Sequence, residues 1–294
     1  MVVATAIPVR EESAVARRRP AEIGLKGVSK TYPGDRGETR TVLSAIDLEI
    51  EAGEFVVVLG ETGCGKSTML RLILGEEPPT TGVIEVAGRP VKQIDARCGY
   101  VPQRYSLFPN RTAFENVMYG PRTAKYPLLP WLKPSYFGYR RQLKADATQQ
   151  LLRMGLRPGD GDKYPHRMSG GMQQRVAIAQ ALILKPAVLL MDEAFSALDP
   201  STRISLQELL LDLWREQRPT IVFVTHNVAE ALFLGTRLIV LGPYAEEMEA
   251  RTNVIADMRL EGSDLPFLER RHTKDFIELQ SFVEELSYGI NCQR

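Results

Sequence analysis

Three short, largely apolar runs stand out along the chain, and each predicts a strand buried inside a sheet. They are FVVVL at 55–59, AVLLM at 187–191 and IVFVT at 221–225. A strand covered on both faces needs no polar side, so an unbroken apolar run of this length is typical of a parallel sheet between two layers. The pattern therefore predicts an α/β fold with a parallel sheet at its core.

The segments around the first run alternate apolar and polar residues instead. IGLKGVSKTY at 23–32, TVLSAIDLEI at 41–50 and GVIEVAG at 82–88 have the period of strands with one buried face. They predict an antiparallel β subdomain beside the parallel core. Residues 104–168 are predicted to form a mostly helical arm.

A last amphipathic segment, TKDFIELQSFVEELSYG at 273–289, predicts a helix near the C-terminus. Thr273 is suited to cap this helix and Gly289 to end it. We expect the helix to pack on the chain's own core or on a second copy of the chain. The apolar residues on its buried face would be Phe276, Leu279, Val283 and Leu286.

These patterns divide the chain into three predicted parts. They are a flexible N-terminal tail at 1–20, a large domain at 21–242 and a helical C-terminal extension at 243–294. The first twenty residues lack the apolar stretch of a signal peptide, which favours the tail interpretation.

Composition narrows the classes of function. The chain has 294 residues, with 37 basic and 36 acidic side chains and a net charge of +1. That balance disfavours nucleic acid as a partner. Cys64, Cys98 and Cys292 are too widely spaced for a metal site, and they are interpreted as reduced thiols of a cytosolic protein. No apolar run approaches the roughly 18 residues that a membrane span requires.

The stretch GETGCGKST at 60–68 is the first segment whose residues predict a binding function. Gly60, Gly65, Lys66 and Ser67 fill the pattern G-x-x-x-x-G-K-[ST] between a predicted strand and a predicted helix. Glycines let successive amides point inward, and the helix dipole adds positive potential, so this loop binds phosphate. Lys66 would reach the β- and γ-phosphates, and Ser67 would ligate Mg²⁺.

All nine residues of this loop are candidates for nucleotide binding. They are Gly60, Glu61, Thr62, Gly63, Cys64, Gly65, Lys66, Ser67 and Thr68. Cys64 is interpreted as a bystander that thiol-modifying reagents could exploit.

Two carboxylates follow the second apolar run. Asp192 could hold Mg²⁺ through water, and Glu193 could polarise the attacking water. Phosphoryl transfer needs positioning and charge stabilisation rather than covalent chemistry, so this set is sufficient for phosphoryl transfer from a nucleotide.

A third motif opens MSGGMQQRVAIAQALILKP at 168–186. Ser169, Gly170 and Gly171 precede a segment with helical periodicity, and they predict a second exposed cluster of amides that contacts phosphate. One phosphate loop and one such cluster in a single chain suggest that two chains share their sites.

Together these motifs resemble the ATP-binding subunits of ABC transporters over roughly residues 21–242. The resemblance implies a P-loop NTPase core with ATP and Mg²⁺ as ligands. Tyr32 would stack on adenine, Gln103 would contact Mg²⁺ and water, and His226 would contact the γ-phosphate. SALD at 196–199 would cross a dimer interface.

Two positions depart from the family pattern. Met168 stands where the signature motif normally has leucine, and Asn227 stands where aspartate is common. Both changes are conservative. His166 and His272 have no motif support for a role in the site.

The resemblance also implies partners and a place in the cell. These are multi-span permease subunits, a second ATPase subunit and, for an importer, an extracytoplasmic solute-binding protein, with the chain bound peripherally to the cytoplasmic face of the membrane.

The sequence around the catalytic loops resembles that of importers of nitrate, sulfonates and taurine. The alternatives are a lipid or lipoprotein exporter, a soluble ABC-type ATPase acting on DNA or ribosomes, and a non-hydrolysing nucleotide sensor.

An unusual insertion is predicted at 121–141 within the arm. From Tyr119 to Arg141 the chain holds four prolines, five basic residues and many aromatic residues, including Trp131. The prolines argue against one continuous helix. The segment either docks on a partner or on lipid headgroups, or folds onto its own arm.

Overall fold

The computed structural model describes residues 21–34, 38–104, 107–127, 135–244, 252–260, 269 and 272–288. The predicted tail at 1–20, Trp131, Gly289 and Cys292 lie outside the described residues.

Ten strands and seven α-helices are described, together with two short 3₁₀ turns at Asp160–Asp162 and Pro165–Arg167. The strands are β1 Ala21–Pro33, β2 Thr39–Glu51, β3 Phe55–Gly60, β4 Thr81–Val86, β5 Arg89–Pro90, β6 Cys98–Val101, β7 Val188–Asp192, β8 Thr220–Thr225, β9 Arg237–Leu241 and β10 Val254–Arg259. The helices are α1 Lys66–Leu74, α2 Ala113–Lys125, α3 Ser135–Arg153, α4 Gly170–Leu182, α5 Pro200–Gln217, α6 Val228–Leu234 and α7 Lys274–Tyr288.

The larger sheet has six strands in the order β10-β9-β3-β8-β7-β6. All neighbours in it are parallel except β10 and β9. The three apolar runs form β3, β7 and β8, so the predicted parallel core is confirmed. Every residue of these three strands is buried, because both faces of the sheet are covered.

The smaller sheet is antiparallel, with the order β2-β1-β4-β5. This confirms the predicted β subdomain. Its apolar face joins α1 in a core that covers one face of the larger sheet, where Val56 and Val58 point. Val57 and Leu59 point to the opposite face, which is covered by the other helices. The phosphate loop therefore begins between two packed layers.

Helices α2 and α3 form most of the arm, as predicted. The ends of the predicted insertion are part of these helices: α2 continues through Pro121 to Lys125, and α3 begins at Ser135. Proline lacks an amide hydrogen and disturbs the helix around it. The single hydrogen of the Thr123 hydroxyl is shared between the carbonyls of Tyr119 and Gly120 beside this position, at 2.9 and 3.0 Å.

The prediction of a helical extension after residue 242 is wrong in part, because residues 254–259 form strand β10. It pairs antiparallel with β9 and enlarges the main sheet, so the sheet continues past the predicted boundary. The sequence signal was weak because VIADMR is a half-exposed edge strand with charged side chains.

Helix α7 lies where it was predicted. Phe276 and Val283 are buried in the same core as the main sheet, and the amide of Phe276 donates to the Thr273 hydroxyl over 3.4 Å. Among the helices of the described part, none has the length and apolar character needed to cross a membrane.

Candidate nucleotide site

The phosphate loop connects β3 to α1, and its backbone needs glycine at specific points. Gly63 and Gly65 have φ angles of 87° and 107°, in the left-handed region that other residues rarely adopt. A Cβ atom at Gly60 would lie 2.3 Å from the carbonyl oxygen of Leu241. Lys66 is buried, and its Nζ donates to the carbonyls of Gly60 and Glu61, both at 2.7 Å. The loop thus encloses a positive charge.

Cys64 lies on the inner side of this loop. Its side chain is 2% exposed, and burial raises the pKa of the thiol. The interpretation that reagents could exploit this thiol is therefore wrong, since it is neither accessible nor readily ionised.

Ser67 and Asp192 lie together at the end of the parallel strands. The Ser67 hydroxyl donates to Asp192 Oδ1 over 3.0 Å. Burial raises the pKa of the Asp192 carboxyl, and the hydrogen bond from Ser67 opposes that rise. A hydroxyl beside a buried carboxylate is a set of hard oxygen donors, which fits Mg²⁺.

Glu193 follows Asp192 and turns sharply out of the sheet. Its φ angle of 43° is unusual for a non-glycine residue, and its amide donates to the carbonyl of Val224 over 2.9 Å. Gln103 Nε2 donates to Glu193 Oε2 over 3.0 Å, and His226 Nδ1 lies 3.2 Å from Glu193 Oε1. The structure therefore brings the three predicted catalytic residues together, with Gln103 and His226 holding the carboxylate from its two oxygens.

Tyr32 lies at the far side of the same cleft. Its hydroxyl donates to Glu77 Oε2 over 2.6 Å, and this bond is the main reason that the pKa of Glu77 is lowered. Lys30 Nζ lies 3.2 Å from Glu77 and 5.0 Å from the centre of the Tyr32 ring. Glu77, which no motif marks, thus orients the ring predicted to meet adenine.

A cavity of about 1070 Å³ joins these groups. It is lined by Tyr32, most of the phosphate loop, Gln103 and Glu193. This volume accommodates a nucleotide, since ligand sites commonly measure about 300–1,000 Å³. Among the described residues that line it, none comes from the Ser-Gly-Gly motif.

The Ser-Gly-Gly motif starts helix α4. The Ser169 hydroxyl accepts a hydrogen bond from the amide of Met172 at 3.3 Å, so Ser169 is the N-cap. Ser169 is exposed and Gly170 is half-buried, but Gly171 is buried. A Cβ atom at Gly171 would lie 2.4 Å from Thr202 Cγ2. The prediction of three exposed glycine and serine amides is therefore wrong for Gly171, which allows α4 to pack closely on α5.

The loop before α5 is held by two side chains. Asp199 Oδ1 accepts from the amide of Thr202 at 3.0 Å and caps the helix. Arg203 donates to the carbonyls of Phe195 and Leu198, at 3.2 and 3.1 Å. SALD at 196–199 is thus tied to the helix that it precedes.

Asn227 has a local role that explains the departure from aspartate. Its Oδ1 accepts from the amide of Glu230 at 2.9 Å and caps α6. Asparagine and aspartate cap helices about equally well, so the substitution leaves this function intact.

Asn253 was missed by sequence reasoning, although it supports the phosphate loop. The side chain is 1% exposed. Its Nδ2, which has two hydrogens to donate, lies within hydrogen-bond distance of the carbonyl oxygens of Val42, Cys64 and Gly242, at 3.1, 3.3 and 3.3 Å. Its Oδ1 accepts from the amide of Ser44 at 3.1 Å. A single asparagine in a polar segment has no periodicity or motif that could reveal these contacts.

The sequence and the fold of this chain match known proteins. The family model described as ABC transporter matches residues 43–196. The nitrate import ATP-binding protein NrtD of Synechococcus elongatus is 38% identical over 84% of this chain and 92% of its own length. The bicarbonate transport ATP-binding protein CmpD of a Synechocystis species is 38% identical over 94% of this chain and 90% of its own length.

Solved structures give the same result. One, titled as a dimeric post-hydrolysis state of an ATP-binding cassette bound to ADP and Pi, is 32% identical, with a TM-score of 0.66. The match covers 82% of this chain and 100% of that chain. Together with the family model and the relatives, it shows that this chain belongs to the ATP-binding proteins of the ABC transporter family.

Proposed function

We propose that this chain hydrolyses ATP to drive an ABC importer of small anions. The observation that carries the proposal is the carboxylate of Glu193, held between Gln103 and His226 in the cavity that the phosphate loop lines. Such a carboxylate can accept the proton of a water molecule that attacks the γ-phosphate, giving ADP and phosphate.

The other residues bind and position the substrate. Lys66 and the loop amides bind the phosphates, and Tyr32 stacks on the base. Ser67 and Asp192 hold Mg²⁺, which offsets phosphate charge when bound, with Gln103 as a further contact. His226 orients Glu193 and the γ-phosphate.

The assembly is a dimer of ATPase subunits on the cytoplasmic face of the membrane, bound to a multi-span permease. Ser169 and Gly170 do not line the cavity of their own chain, and in the dimer they contact the ATP bound by the second chain. An extracytoplasmic solute-binding protein completes the importer. Residues 21–242 form the ATPase domain, to which β10 and α7 of the extension are joined through the shared sheet and core.

The cargo is a small anion. Relatives named for nitrate import and bicarbonate transport support this class, and sulfonates and taurine belong to it as well. The test is to purify the tagged chain from its own cell membranes and identify co-purifying proteins by mass spectrometry. A permease with a solute-binding protein that binds nitrate or a related anion is the expected result. Co-purification with a lipoprotein-exporting permease, or recovery of the chain without any membrane partner, would overturn the proposal that it drives an importer.

Replacement of Lys66 by alanine is expected to weaken ATP binding by about 10- to 100-fold. A charge-assisted hydrogen bond contributes about 1.5–3 kcal/mol, and each 1.4 kcal/mol is a factor of about ten in affinity. Calorimetric titration with a non-hydrolysable ATP analogue measures the change. Lys92→Ala, which alters an exposed lysine of the β subdomain, is the matched control. Equal affinities of the two variants for the ATP analogue would show that Lys66 does not bind the nucleotide.

A further inference from the structure

We propose that the outer surface of helices α2 and α3 binds the anionic headgroups of membrane lipids. We call this surface, formed by residues 111–127 and 135–144, the arm surface. The inference rests on the proposed function in one respect only: a subunit of a membrane transporter works next to a bilayer. The contact itself is argued from charge, aromatic side chains and shape.

Positive charge is concentrated on this segment. Residues 111–127 and 135–144 contain six basic residues and a single acidic one, Glu115, whereas the whole chain has 37 basic and 36 acidic residues. The net charge of +1 is therefore the sum of a strongly basic arm and a remainder of the chain that has more acidic than basic residues. The basic residues are Arg111, Arg122, Lys125, Arg140, Arg141 and Lys144.

Carboxylates do not neutralise this charge. Of the ion pairs found among the described residues, none involves a basic side chain of the arm surface, although Lys26, Arg237 and Arg259 are paired elsewhere. Glu115 is occupied in the capping box of α2, where its carboxylate accepts from the amide of Thr112 at 3.0 Å. The cations of the arm are thus available to an external anion.

Aromatic rings alternate with the cations. The Arg111 guanidinium lies 4.7 Å from the centre of the Tyr119 ring, and Lys125 Nζ lies 4.2 Å from the Tyr139 ring. Phe137 is 61% exposed. Tyrosine, tryptophan, arginine and lysine are the residues enriched where protein meets the headgroup region of a bilayer. The arm surface therefore combines positive charge with aromatic side chains, which suits the headgroup region.

A pocket lies between α2 and α3. Its volume is about 210 Å³, and Arg122 and Arg140 line it beside the apolar side chains of Met118 and Leu143. Guanidinium groups bind phosphate through paired hydrogen bonds, and the apolar side chains suit the glycerol and upper acyl region. Tyr136 and Tyr139 complete the lining together with Glu115.

The experiment is co-sedimentation of the purified full chain with vesicles. We expect binding to vesicles of phosphatidylcholine with phosphatidylglycerol, and little binding to phosphatidylcholine alone. Raising the salt from about 0.1 M to about 1 M shortens the Debye length from roughly 10 to 3 Å and should release the protein. The charge reversal Arg140→Glu with Arg141→Glu should weaken binding about tenfold or more.

The controls separate this proposal from folding and from the ATPase function. Arg89→Glu with Lys92→Glu makes the same charge change at exposed positions of the β subdomain, and it should bind vesicles nearly as well as the unmodified chain. Both double variants should retain ATPase activity, which shows that they fold. The Lys66→Ala variant should still bind vesicles, so a failure of the ATP site leaves the lipid test intact.

Two results would overturn the lipid contact. One is equal vesicle binding by the two charge-reversed variants, because the arm surface would then be irrelevant. The other is binding to the detergent-solubilised permease, lost on Arg140→Glu with Arg141→Glu, without any binding to anionic vesicles. That outcome would assign the arm surface to an acidic protein partner.

Discussion

Replacement of Glu193 by glutamine is expected to lower ATP turnover by about 10²- to 10⁴-fold, the usual contribution of a general base. Glutamine has the same shape, and its amide can still accept from Gln103 with one atom and donate toward His226 with the other. It cannot take a proton from water at neutral pH. The substitution therefore removes the group that accepts the proton, while it preserves the contacts with Gln103 and His226.

Binding and turnover must be measured together for this variant. Affinity for ATP should stay within a few-fold of the unmodified chain, and phosphate release should nearly cease. Glu208→Gln makes the same chemical change at an exposed position on α5 and should leave turnover unchanged. Retained hydrolysis in Glu193→Gln would show that another group activates the water.

Replacement of Asn253 by alanine is expected to lower the free energy of unfolding by about 3 kcal/mol or more. The buried amide donates its two hydrogens among three backbone carbonyls and accepts from one backbone amide. Each bond contributes about 0.5–1.5 kcal/mol, and buried groups left without partners cost more. Because one of these groups is the carbonyl of Cys64, the variant should also bind ATP more weakly.

Urea denaturation measures the first effect and nucleotide titration the second. Asn110→Ala, at an exposed turn, is the control and should change the free energy of unfolding by less than about 0.5 kcal/mol. If Asn253→Ala unfolds at the same urea concentration as the control, the residue does not support the loop.

Much of the fold could be predicted because its signals are local. The five-residue apolar runs and the glycine-rich loop specify β3, β7, β8 and the turn into α1, since burial on both faces and left-handed backbone each demand particular residue types. The periodicity of residues 273–289 likewise located α7, whose buried side chains repeat on one face.

The remaining features depend on contacts between distant residues. Strand β10 has a weak alternation and is recognisable only by its pairing with β9. Asn253 and Glu77 act through partners far away in the chain, and neither is part of a motif. The motifs identified Gln103, Glu193 and His226 separately, but their meeting at one carboxylate follows from the order of strands in the sheet.

The close packing of Gly171 on Thr202 has a consequence for cooperativity. Glu193 is followed by the turn that Arg203 holds to α5, and α5 in turn packs on the helix that begins with the Ser-Gly-Gly motif. In the proposed dimer, a shift at Glu193 on loss of the γ-phosphate would therefore reach, through Arg203 and Thr202, the motif that the same chain would offer to its partner's nucleotide. In a dimer, the two ATP molecules would be hydrolysed as linked events, with a Hill coefficient above one.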